Sequence, residues 1–302
     1  MTNNTSQPKR YFDLHTSGIG YLQRVREVKV KGGRKAEPFL ACTVAAIVGP
    51  AHDTKLRYFD VRVSGHDAQE LVRPYIGVED PKQRPVVQFR QGDLWVDPYI
   101  RPSGEHQGQP AASMKGRLLK AELISQAEFA KVKQFEIITN GIGYLSNIKE
   151  VRPANGDPFW KCSIAALTGP YEIPENEKRE YRYFDTIITN AEVLNLVQRC
   201  GPAVKDKRKV LIAFRLNDMQ ANPYIRKSGN HAGEAAASLE SKLTHISLIK
   251  IDGVQVYSKQ QTADAQAPQA TASAPAVEPS AQDTADAGDS SAQHDQAAAA
   301  LA

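Results

Sequence analysis

The chain repeats itself after about 120 residues, and this self-similarity limits its fold more than any other feature. Gly18-Ile19-Gly20-Tyr21-Leu22 returns as Gly141-Ile142-Gly143-Tyr144-Leu145. Pro38-Phe39 and Cys42 return as Pro158-Phe159 and Cys162, and Gly49-Pro50 returns as Gly169-Pro170. Arg57-Tyr58-Phe59-Asp60 returns as Arg182-Tyr183-Phe184-Asp185. Pro98-Tyr99-Ile100-Arg101 with Ser103, Gly104 and His106 returns as Pro223-Tyr224-Ile225-Arg226 with Ser228, Gly229 and His231. The offset moves from 123 to 120 and then to 125, so small insertions fall between the matched blocks, where loops belong. A period this long describes a duplicated domain and excludes a solenoid.

Each copy reads as strand, strand, strand, helix, strand, strand. The paired glycines opening the first strand suit a bulge or a sharp coil. The second strand runs from Phe39 to Val48 and stops at Gly49-Pro50. The third alternates, with Phe59, Val61 and Val63 on one side and Tyr58, Asp60 and Arg62 on the other. A short helix from Asp67 to Tyr75 follows, started by Ser64 or His66-Asp67; its counterpart, Ala191 to Arg199, has Asn190 as N-cap. The fourth strand carries Val87 and Phe89, a long hairpin passes through Pro98 and Pro110, and a fifth strand ends near Ile124. Repetition and alternation alone give a mainly β chain of two small barrels or sandwiches; the order, with one short helix between strands 3 and 4, is that of two tandem OB-fold five-stranded barrels.

The expected layout is a disordered N-terminus over 1–10, one barrel over 11–125, a linker over 126–134 and a second barrel over 135–257. Residues 258–302 are Ala, Gln, Ser, Asp and Pro without an aromatic, too poor in apolar groups to fold, and read as a disordered tail. That tail holds one base and six acids, a net of −5, which leaves +9 on residues 1–257. A basic body with an acidic tail fits a polyanion binder whose tail can compete for its own groove. With no run of the roughly 18 apolar residues a membrane helix needs, and no apolar leader, the expected compartment is the cytoplasm, without membrane contact. Three cysteines without CxxC spacing read as buried and free. No metal, cofactor or catalytic role is expected, since GxxxxGK[ST], HExxH and GxSxG are missing and Asp60 and Asp185 stand singly on separate domains.

The sequence GxGYL, the glycine-bounded second strand, the third strand Tyr58-Phe59-Asp60-Val61-Arg62-Val63-Ser64-Gly65 and the hairpin ending Pro98-Tyr99-Ile100-Arg101-Pro102-Ser103-Gly104 are similar to bacterial single-stranded DNA-binding proteins. The tandem arrangement resembles, more closely, a family of replication-associated proteins carried by integrative conjugative elements. The resemblance implies base stacking on an early aromatic of the third strand, here Tyr58 and Tyr183, and on an aromatic in the long hairpin, here Tyr99 and Tyr224. It also implies dimerisation to a set of four barrels, and replication or conjugation proteins as partners. The aromatic tail tip through which such proteins recruit partners is missing, since this chain ends in Ala-Leu-Ala.

Holding single strands without reading sequence takes cations along a phosphate track and flat rings under the bases. In the first copy the candidates are Phe39, Tyr58, Arg62, Arg90, Trp95, Tyr99 and Arg101; in the second they are Trp160, Tyr181, Tyr183, Arg215, Tyr224 and Arg226. The second-strand aromatic of the second copy is either Phe159 or Trp160. Arg57 and Arg182 are expected to pair with Asp60 and Asp185, and His106 and His231 to serve as turn residues. Arg62 corresponds to Ile187 and Lys115 to Glu240, so the first copy is expected to hold phosphate more strongly, the second to lean on stacking or protein contact. Two other readings stay open: a protein-interaction or structural module, and an RNA binder, which the 2′-hydroxyl would separate from a DNA binder.

Overall fold

The computed structural model describes residues 11–29, 37–174 and 176–259, so the expectations of disorder for the N-terminus and for the tail from residue 260 lie outside the described residues. Long alternating stretches rich in β-branched and aromatic residues form the strands of the first repeat. These are β1 (His15–Val28), β2 (Phe39–Pro50), β3 (Lys55–Val63), β4 (Val86–Ile100) and β5 (Pro110–Leu123), with helix α1 (His66–Val72) between β3 and β4. β1 pairs with β2, β2 with β3, β3 with β5 in parallel, β5 with β4, and β4 again with β1. That circuit closes a five-stranded OB barrel and leaves no open sheet edge. A four-residue helix, α2 (Gln126–Phe129), and the short strand β6 (Gln134–Phe135) lead to the second repeat. There β7 (Ile138–Val151), β8 (Phe159–Leu167), β9 (Tyr181–Ile188), helix α3 (Ala191–Lys205), β10 (Val210–Ile225) and β11 (Ala235–Ile251) close the same circuit.

Matched residues fill both interiors. Phe59 and Phe184 are fully buried, as are Leu22, Val44 and Leu118 on one side and Ile164, Ile212 and Leu243 on the other. Each such side chain stabilises the fold by about 1.5–3 kcal/mol through removal from water. Cys42, Cys162 and Cys200 are buried and unpaired, and burial pushes the Cys42 thiol up to about 12 and the Cys162 thiol up to about 11, so neither is reactive near neutrality. Gln91 is also fully buried, with neither polar atom of its amide hydrogen-bonded, whereas the matched residue of the second barrel is the buried Leu216. Gln91→Leu therefore raises unfolding free energy by about 1–3 kcal/mol, the penalty of an orphaned buried amide. Equal or lower stability in a denaturant titration would contradict this.

The glycines serve a different purpose from the one their pairing suggests. The irregularity of β1 falls between Gln23 and Arg26, where Arg24 has φ 53°, and recurs in β7 at Asn147 with φ 51°. Gly20 and Gly143 instead let strands cross at close range: a Cβ on Gly20 would lie 2.7 Å from the Ala45 carbonyl oxygen, and one on Gly143 2.7 Å from that of Ala165. Three further details depart from the sequence. Gly65 occupies the N-cap of α1 without a side-chain hydrogen bond, so neither Ser64 nor His66-Asp67 caps it. Helix α3 is N-capped through Asn190, whose carbonyl oxygen accepts from Glu192 N, but continues to Lys205 because Cys200 and Ala203 prolong its buried stripe. Beyond β11 a further strand, β12 (Val254–Ser258), folds back over the tight turn Asp252-Gly253, both in left-handed conformation.

The two barrels meet across a pseudo-twofold axis. β1 and β7 pair antiparallel with Thr16 opposite Thr139, residues that correspond in the repeat, and their hydroxyls lie 2.8 Å apart in a buried contact. Reciprocal arms tie the seam: Phe12 N donates to Gly169 O, and Phe135 pairs with the matching Gly49 of the first repeat. Arg57 does not pair with Asp60. It reaches across the seam and donates to both carboxylate oxygens of Asp218, at 2.9 and 3.0 Å, while Arg182 donates to Leu94 O at 2.7 Å in the reverse direction. Burial pushes the Asp218 carboxyl up, but the Arg57 guanidinium and the Met219 amide outweigh it and hold it below the ordinary carboxylate value. Asp60 takes Arg26 as its partner, and Asp185 accepts from the Ser163 hydroxyl. The expected pairing overlooked that β3 begins at the seam, where a carboxylate from the other repeat is nearer.

Candidate nucleic-acid interface

The alternation of β3 places Phe59, Val61 and Val63 inside and leaves Tyr58 52% exposed, with Arg62 exposed beside it. Directly paired residues of neighbouring strands project to the same side, so the registers define a continuous outer face. Tyr58, Asp60 and Arg62 stand opposite Ala45, Thr43 and Ala41 of β2, whose short, buried side chains form a floor under the longer ones. On the other side Asp60 lies beside Lys115 and Arg62 beside Arg117 of β5. Lys115 in turn opposes Trp95 of β4, and farther along the same hairpin Tyr99 opposes Ala111. Trp95 is 39% exposed and Tyr99 42%.

Three rows cross this face. A cationic row joins Arg62 and Arg117, with the Arg62 guanidinium 4.8 Å above the Phe39 ring centroid. A middle row holds Asp60 with its Arg26 partner, then Lys115 paired with Asp97, then Trp95. The third row carries Tyr58. Arg117 is bound by Asp93 at 2.9 Å, whereas among the described residues no carboxylate pairs with Arg62 or Arg101. Arg101 flanks the exposed hairpin loop, bonded through its backbone to Gln109 and Gly108.

The second repeat presents the same three rows with other residues. Tyr183, 67% exposed, stands opposite Ala165, and Tyr224, 47% exposed, opposite Ala236; Arg226 follows in the exposed hairpin loop. Tyr181 is half-buried, its ring 6.4 Å from those of both Tyr144 and Tyr183, so three tyrosines form a connected cluster. In the cationic row Ile187 takes the place of Arg62, yet Lys161 stands opposite it on β8 and Lys242 beside it on β11. The charge missing at Ile187 is thus supplied across the ladder, whereas Glu240 still stands where the first repeat has Lys115.

Three of the sequence-derived candidates fall elsewhere. Trp160 corresponds to Leu40 and turns inward with Cys162 and Ile164 to pack on the core; Phe159, with the Lys161 ammonium 5.6 Å from its ring centroid, is the counterpart of Phe39. The repeat alignment at Pro38-Phe39 and Pro158-Phe159 already carried that distinction. Arg90 and Arg215 lie on the flank toward β1 and β7, opposite Ser17 and Asn140, because β4 and β10 pair there before their hairpins swing out. Arg90 binds Asp13 at 3.1 Å and meets the His15 ring at 3.0 Å, and Arg215 donates to Asn140 at 3.3 Å. Burial and then the Arg90 charge lower the His15 pKa to about 4, so that histidine is neutral near pH 7 and adds no cation. Arg117, Lys161 and Lys242 were absent from the candidates; only the strand pairings and the repeat register bring them to the face.

The family described as "Protein of unknown function (DUF3577)" matches residues 5–127 and again 128–265, one match per repeat. No curated protein matches the chain. Among solved structures, a replication protein A heterotrimer bound to ssDNA matches at 9% identity and TM-score 0.19, over 81% of this chain and 52% of that one. The chain thus spans about half the length of that relative, and a superposition with so low a score carries no argument.

Proposed function

We propose that this chain, which belongs to the DUF3577 family through both of its repeats, is a non-catalytic protein that binds single-stranded DNA on two outward faces. One observation carries the reading: in each repeat an exposed tyrosine and a row of two cations share one outer face, Tyr58 with Arg62 and Arg117, and Tyr183 with Lys161 and Lys242. Rings for unpaired bases and charges for their phosphates are the two elements such binding needs. The five strands of each barrel form a closed circuit, which favours the outer flank as the place where a ligand would lie. The similarity of GxGYL and of the Pro-Tyr-Ile-Arg hairpins to single-stranded DNA-binding proteins supports the same reading. The resemblance of the tandem layout to replication-associated proteins of integrative conjugative elements supports a role in replication or conjugative transfer of a mobile element. A cytoplasmic location is part of the proposal. Dimerisation belongs to the proposal too, since two barrels joined about a pseudo-axis form half of a four-barrel set.

Fluorescence anisotropy with oligo-dT, duplex DNA and RNA of equal length tests the reading. The expected order places oligo-dT first, with log affinity falling against log salt at a slope of about −3, as four phosphate contacts on a single strand would give. Tighter binding to RNA would transfer the site to RNA. No binding at low salt would leave a protein-interaction module.

A further inference from the structure

The two faces agree in their tyrosine and cationic rows and differ in the row between. In the first repeat that row holds groups indifferent to base identity, a ring and an ion pair: Trp95, and Lys115 with Asp97. In the second repeat the matched positions are Gln220, Glu240 and Asn222. Glu240 is half-buried and accepts from the Asn222 amide at 3.1 Å and the Gln220 amide at 3.4 Å. Both residues are exposed, and each amide keeps its carbonyl oxygen and a second N–H for a ligand. Beside Glu240 on β9 lies Asp185, two residues from the exposed Tyr183. Among the described residues the middle of this face therefore holds two carboxylates, Glu240 and Asp185, with two amides and no cation, between a stacking ring and the lysine row of Lys161 and Lys242.

Such a row repels phosphate and attracts N–H donors. A strand held by Tyr183 and the lysines would turn a base edge, and not its backbone, toward Glu240. Exocyclic amino groups supply two hydrogens to clustered acceptors, and a carboxylate accepting from cytosine N4 is an established readout pairing. Thymine offers a single N–H flanked by two carbonyl oxygens, which the same acceptors disfavour. We propose that the second repeat selects bases bearing an exocyclic amino group over thymine, while the first binds without regard to base. This rests on the single-stranded DNA reading above and adds the chemistry of the preferred strand.

The test titrates the full chain with oligo-dC, oligo-dT and oligo-dU of one length at low salt, the dU strand removing the thymine methyl as an explanation. Wild-type protein is expected to bind dC at least about fivefold more tightly than dT and dU. Glu240→Lys with Gln220→Trp, which installs the first repeat's residues, is expected to bring the three affinities together, and Glu240→Gln to reduce the ratio without loss of folding. Equal wild-type affinities, or a ratio unchanged in Glu240→Gln, would overturn base selection and leave the binding proposal standing. Absence of binding to all three strands would remove both.

Discussion

Replacing Tyr58 and Tyr99 together by alanine is expected to weaken oligo-dT binding at least tenfold while leaving thermal stability unchanged. Each ring that stacks on a base contributes about 1–3 kcal/mol, so losing two supports a drop of that size even if one is only partly engaged. The structure separates this effect from a folding defect, since both rings are exposed, at 52% and 42%. Their cross-strand neighbours are Ala45 and Ala111, so truncation opens no cavity in the barrel. Unchanged affinity in the double variant would remove the face of β3 and the β4–β5 hairpin as the binding site. The matched pair Tyr183→Ala and Tyr224→Ala serves as the parallel measurement for the second repeat.

The second large effect concerns the fold. Gly20→Val is expected to destabilise the protein by more than about 2 kcal/mol, since its Cβ would press on backbone and not on a side chain that can turn away. The obstructing atoms are the Ala45 carbonyl oxygen at 2.7 Å and the Ala46 Cα at 2.9 Å, both within β2, which is buried along most of its length. Gly104→Ala supplies the contrast. It has φ 90° but open space around it, so only the backbone penalty of roughly 1 kcal/mol remains. Urea titrations of both variants measure the difference, and equal midpoints would refute the close-approach explanation.

How much of this was legible in the sequence follows from the range of the interactions involved. The strand order, the alternation of β3 and the inward Phe59 are local patterns, and the structure has them where the periodicity puts them. Asn190 as N-cap is also local, because a cap is decided within three residues. Arg57 was misread because its partner, Asp218, lies 161 positions away across a seam that no periodicity announces. Arg90 and Trp95 sit in one strand, yet two register shifts between them send one to the seam and the other to the outer face. Lys161 compensates for Ile187 only because β8 and β9 are paired in that register. The turn Asp252-Gly253 and the alternating Val254-Gln255-Val256-Tyr257 after it are a local hairpin signal, which the five-strand order left out.

The pairing of Thr16 with Thr139 has a directional consequence for anything threaded through both repeats. A twofold rotation exchanges head and tail, whereas a nucleic-acid chain has distinct 5′ and 3′ ends. A straight strand running perpendicular to that axis, 5′-end leading over the first face, would cross the second in the reverse sense. For both faces to meet the same polarity, the strand must double back between them, so the shortest oligonucleotide that engages both is longer than two single footprints. The joint between the repeats would then act as a bend imposed on the ligand.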